Sequence, residues 1–195
     1  PGLAQNGMHR VIQTSALQKL VVRFEQALRE RWTERPEDEA ELRRQWQTLR
    51  DENQTSESWV AWSDAQITQA AVAWVLSCVF VRFLEDNGWQ EHTFIAGAVA
   101  DERGQNRLQW AIENQVQFFR DHPEASDREY LEHVFQTWAN RPGFTDLFGP
   151  GHNPLWRLRP TAAGATLLLS FFRETDGATG TLRHSLRASS PADTR

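Results

Sequence analysis

From Ile67 to Leu84 the chain is apolar on nearly every side of a helical wheel. A helix that is hydrophobic all round has to be enclosed by other elements, because no face of it suits water. This one segment therefore predicts a central helix, at about 64–87, inside a multi-helix bundle. Ser63 and Gln66 have the spacing of a capping box at its start, and Gly88 suits a left-handed cap at its end. The longest apolar run, Ala70–Val81, is too short to cross a bilayer and is followed at once by Arg82. No membrane association is expected.

The flanking segments carry the narrower stripes of helices that could enclose it. Leu17, Leu20, Val21, Phe24 and Leu28 recur at helical spacing within Ser15–Trp32. Pro36 opens a second helix at the position where a missing N–H costs least, and Glu37, Asp38 and Glu39 suit its electropositive end. Leu42, Trp46 and Leu49 form its stripe to about Arg50, and Asp51–Glu57 reads as a polar loop. Further helices are expected at Leu108–Phe119, from a Ser126–Glu129 capping box through Trp138, and from a Thr161 cap through Phe172. Pro142 and Gly143 stop the second of these, and Phe144–Leu155 reads as a loop. No segment alternates with the period of a strand, so the class is all-α, an irregular multi-helix bundle.

Composition limits the chemistry. Cys78 is the only cysteine, which excludes an internal disulfide and a cysteine-based zinc site; a reducing, cytoplasmic compartment fits. The formal charge of −5 gives no global nucleic-acid footprint. Nine tryptophans read as packing mass. The six histidines show no metal-ligand spacing, and Glu129, Glu132 and His133 have no partner set on a second helix. Gly149-Pro150-Gly151 lacks the strand and helix of a phosphate loop. Asn153-Pro154-Leu155-Trp156 approaches the Asn-Pro-Pro-aromatic loop of amino-group DNA methyltransferases, but Leu155 replaces the second proline. His152, Asn153 and Trp156 are read as anchors of a structural loop. No catalytic, cofactor-binding or metal residue is assigned.

One stretch breaks local rules. Arg82 follows the most apolar part of the chain, and Glu85 and Asp86 sit in the last helical turn, where the macrodipole disfavours carboxylates. Such a conflict suggests compensation from outside the helix. Arg82, Glu85 and Asp86 are read as a partly buried ion-pair knot, the alternative being contact with a neighbouring domain or nucleic acid.

The segment Ala70–Trp89 around this knot, with Phe80-Val-Arg-Phe-Leu-Glu-Asp-Asn-Gly88 at its centre, resembles the N-terminal helical region of PglX-type adenine-specific DNA methyltransferases of phage growth limitation and bacteriophage exclusion (BREX type 2) systems. Ser126-Asp-Arg-Glu-Tyr130 and His152-Asn-Pro-Leu-Trp156 extend the likeness over most of Met8–Arg195. A looser form of the first motif occurs in helical parts of fused restriction-modification enzymes.

The resemblance implies a parent enzyme that moves a methyl group from S-adenosylmethionine to N6 of adenine in DNA, with its cofactor pocket and catalytic loop outside this chain. Pro1–Gly7, which precedes the sole methionine Met8, reads as an expression remnant; the resemblance makes 8–176 a helical domain and 177–195 a linker toward an absent C-terminal methyltransferase domain. Double-stranded DNA and other phage-defence proteins are the remaining candidate partners. After Gly151 the six arginines outnumber three acids, and Arg157, Arg159, Arg173, Arg183 and Arg187 are the candidate contacts to a DNA backbone. The competing reading is a free-standing helical protein–protein interaction domain.

Overall fold

The computed structural model describes residues 14–89, 91–99, 103–151 and 153–186. Pro1–Gly7, His152 and Arg187, each assigned a role from the sequence, lie outside the described residues. Among those described there are seven α-helices and no strand. They are α1 (Thr14–Glu34), α2 (Pro36–Asp51), α3 (Trp59–Asp86), α4 (Arg107–Asp121), α5 (Asp127–Ala139), α6 (Thr145–Phe148) and α7 (Ala162–Arg173), with a 3₁₀ turn at Pro154–Arg157. The fold is all-α.

The central helix starts earlier than its sequence suggests. Ser58, not Ser63, caps α3, accepting the N–H of Ala61 at 3.2 Å. Ser63 lies inside the helix and its hydroxyl donates to the Val60 carbonyl. The apolar periodicity begins only at Ile67, but aromatic packing pulls the first turn into the helix. Trp59 lies about 6 Å from each of Trp32, Trp46 and Trp62, and the Arg43 guanidinium covers its ring at 4.4 Å. The Trp46 indole N–H ties the preceding loop by donating to the Glu57 carbonyl.

The other end is closed as expected. Trp89 N–H reaches the Leu84 carbonyl and Gly88 N–H reaches that of Glu85, a Schellman closure that needs the φ of +69° at Gly88. The resulting helix of 28 residues is long and apolar enough, by length and composition, to cross a membrane. Just over half (56%) of its apolar window is buried against the rest of the protein, the pattern of a core helix that keeps one open side.

α3 is wrapped by α1, α2, α7 and the 3₁₀ turn. Trp74, fully buried, packs on Phe24 of α1 and edge-on to Phe135 of α5, and its N–H is shared by the carbonyls of Leu155 and Leu158. α7 comes so close to α1 at Gly164 that a Cβ there would lie 2.5 Å from that of Ala27. The Ser126–Glu129 capping box forms at the start of α5, and Thr161 caps α7 through the N–H of Gly164. Phe144–Leu155, expected to be plain loop, contains α6 and the start of the 3₁₀ turn, because Phe144 and Phe148 pack on Trp138.

Candidate functional site

The C-terminal turn of α3 holds the most buried charges of the protein. Arg82 and Glu85 are both buried. The two do not form one knot with Asp86, and the grouping of Glu85 with Arg82 is corrected by the geometry. Arg82 pairs with Asp86 one turn later, Nη2 lying 2.9 Å from both carboxylate oxygens. It also donates to the backbone carbonyls of Phe172 and His184. Asp86 in turn accepts the N–H of Leu186 at 2.8 Å.

Glu85 makes its hydrogen bonds instead to the loop after Gly88. Its Oε1 accepts the N–H groups of Phe94 (2.6 Å) and Ile95 (3.0 Å), and Oε2 that of Ala96 (2.9 Å). Burial pushes its pKa above the usual carboxylate range, with the three N–H donors and Arg82 pulling the opposite way. The compensation suggested by two acids at a helix C-terminus is thus supplied twice, by a guanidinium for Asp86 and by backbone donors for Glu85.

The same loop is clamped through its carbonyls. Arg173 donates from Nε to Ile95 O at 2.6 Å and from Nη2 to Phe94 O at 3.1 Å, and a further nitrogen reaches Gln115. The Tyr130 hydroxyl donates to Phe94 O at 2.7 Å, and Arg107 reaches the Glu85 carbonyl at 3.0 Å. Tyr130, Arg107 and Gln115 escaped the sequence reading. Tyr130 is the only tyrosine, which was the one available hint that its hydroxyl has a task.

The four described candidate DNA contacts each have partners within the protein. Arg173 is an internal clamp for the 94–96 loop, so its assignment as a backbone contact is corrected. Arg159 spans the carboxylates of Glu132 (2.6 Å) and Glu129 (3.1 Å). Arg183 pairs with Glu174 across a turn that the Thr175–Leu182 bridge closes. Arg157 reaches Gln66 at 3.4 Å. Among the described arginines after Gly151, Arg159 and Arg183 are paired with carboxylates and Arg173 with carbonyls.

Asn153 does what a loop anchor does. Its side-chain oxygen accepts Leu155 N–H, and its amide donates to Leu147 O at 2.6 Å and Ser77 Oγ at 3.2 Å. Trp156 donates to Phe148 O at 2.7 Å. With both amide hydrogens committed this way, Asn153 has no spare N–H to offer a nucleobase. Cys78 is fully buried in α3, where burial raises its thiol pKa. Among the described residues no group of three or more His, Cys, Asp or Glu side chains could hold a metal ion.

One groove among the described residues is mostly apolar. It measures about 570 Å³ and runs along the open side of α3, between Val72, Leu76 and Phe80 on one wall and Leu147, Phe148 and Pro154 on the other.

No family model matches the sequence, and no solved structure matches it. A curated protein does: the chain is 30% identical over 137 residues, 70% of its length, to the adenine-specific methyltransferase PglX of Streptomyces coelicolor. The match covers 11% of that relative, so the chain corresponds to a small part of it.

Proposed function

We propose that this chain, similar to one region of PglX-type proteins, is a helical scaffold module of an adenine-specific DNA methyltransferase, with the chemistry carried elsewhere in the polypeptide. The observation that carries the reading is the likeness to PglX over 70% of the chain. The disposition of the polar side chains supports it. The buried and conspicuous ones, Arg82, Glu85, Asp86, Tyr130, Asn153 and Arg173, are spent on holding helices and loops together. Of these only Asn153 lines the groove beside α3, with both amide hydrogens bonded, and none is placed as a general base or nucleophile would be.

On this reading S-adenosylmethionine binds outside the chain, the methyl acceptor is N6 of adenine in DNA, and the system served is a phage-defence one acting in the cytoplasm. DNA contact by this module is secondary, because Arg159, Arg173 and Arg183 already have partners.

Calorimetric titration of S-adenosylmethionine into this chain, and into a whole PglX-type polypeptide that contains the region, tests the assignment. One site per whole polypeptide and no heat of binding for the chain alone is expected. One-to-one micromolar binding by the chain alone would overturn it.

A further inference from the structure

The open side of α3 is unusual for the most apolar helix of the chain. Val72, Leu76, Phe80 and Phe83 follow one another at i, i+4, i+8 and i+11, and they are between 37% and 49% exposed. Leu147, 40% exposed, faces the same groove from α6. Exposed apolar residues scattered singly need no explanation, but a continuous stripe beside a preformed groove marks a contact surface. Its floor runs along the helix axis for more than three turns, the shape that receives the apolar face of another helix.

The path of the chain suggests which helix. Asn87 continues the stripe one turn beyond Phe83, and its amide donates to the Leu186 carbonyl at 3.1 Å. Leu186, the last described residue, is therefore fastened to the end of this stripe. From Asn87 to Thr68, at the far end of the groove, the helix rises about 28 Å. The nine residues from Arg187 to Arg195 can reach at most about 30 Å. In a longer polypeptide, such as the relative of which this chain covers 11%, a segment following Arg195 would begin within reach of the groove, at an effective concentration on the order of millimolar. At such a concentration a groove of this size suffices without a second binding surface.

We propose that the α3 groove seats an amphipathic helix from the part of the same PglX-type polypeptide C-terminal to this chain. The occupant places its apolar residues against Val72, Leu76 and Phe80, and it fixes the next domain relative to the scaffold. This rests on reading the chain as one region of a longer polypeptide.

The test uses the whole PglX-type polypeptide. Leu76→Cys probes the groove and Val60→Cys, at the exposed first turn of α3 (65%), is the reference. Maleimide labelling is tracked peptide by peptide by mass spectrometry. Leu76→Cys should react about tenfold more slowly than Val60→Cys, independently of protein concentration. Equal rates, or protection that grows with concentration and so marks a second copy, would overturn the proposal. Replacing Leu76 with the photo-crosslinker p-benzoyl-L-phenylalanine then identifies the occupant. A crosslink within one polypeptide, to a segment C-terminal to this chain, is expected; a crosslink between copies, or to nothing, contradicts it. Neither readout involves S-adenosylmethionine, so failure here is distinct from failure of the scaffold assignment.

Discussion

Arg82 and Asp86, one turn apart on α3, form an ion pair whose side chains are 1% and 6% exposed. In the open such a pair, with arginine preceding the acid, is worth little. Buried, each charge depends on the other, and Arg82 also holds the carbonyls of Phe172 and His184. Arg82→Ala should cost about 3–5 kcal/mol, since the carboxylate is left buried without its cation. Chemical denaturation read by tryptophan fluorescence measures it. A loss below about 1 kcal/mol would mean that the pair is screened by water.

Glu85 should make stability depend on pH in the direction opposite to most carboxylates. Its folded pKa is raised by burial, so the native state binds the proton more tightly than the unfolded chain. Its contribution is then complete below the ordinary glutamate pKa of about 4.3 and is lost as pH rises through the folded value. Glu85→Gln removes this dependence, and it turns a donor toward the Ala96 N–H, at a cost of about 1–3 kcal/mol. The gap between wild type and variant should narrow as pH rises above about 4.3. A gap that widens would show that the three N–H donors outweigh burial.

Glu129 works the other way. Burial opposes its charge, but the hydroxyl and N–H of Ser126 and the Arg128 guanidinium prevail and hold its pKa at about 2. A depressed folded pKa contributes stability above the unfolded value, and the contribution is lost as pH falls from about 4.3 toward 2. Glu129→Ala, which also removes a partner of Arg159, should cost about 0.5–2 kcal/mol at neutral pH and should flatten the acid limb of the stability profile. An unchanged acid limb would count against the capping box as its origin.

The arginines of the C-terminal third should give little DNA affinity. With Arg159, Arg173 and Arg183 engaged internally, fluorescence anisotropy at low salt should detect at most weak binding to duplex DNA. Arg157→Ala together with Arg183→Ala should change it by less than about threefold. Tight binding that these changes abolish would restore the DNA-contact reading.

The architecture was legible because it depends on local pattern. The all-round apolarity of Ile67–Leu84 demanded an enclosed helix, and Gly88, Ser126 and Thr161 marked real helix ends. The start of α3 was hidden because aromatic packing among Trp32, Trp46 and Trp59, distant in sequence, fixes it. The rule-breaking cluster at Arg82–Asp86 correctly signalled compensation, but not its source. Backbone N–H groups at 94–96 have no sequence signature, and neither does an arginine such as Arg173 that turns inward to meet carbonyls. The groove was illegible for a similar reason. Which side of an all-apolar helix stays open depends on where its neighbours stop.

Methyl transfer measures the central claim most directly. Incorporation of labelled methyl groups from S-adenosylmethionine into adenine of duplex DNA is compared for this chain, for a whole PglX-type polypeptide, and for that polypeptide lacking the region that corresponds to 14–186. The account predicts no transfer by the chain, transfer by the whole polypeptide, and sharply reduced transfer with S-adenosylmethionine binding retained when the region is missing. Methylation by the chain alone, or full activity without the region, would contradict it.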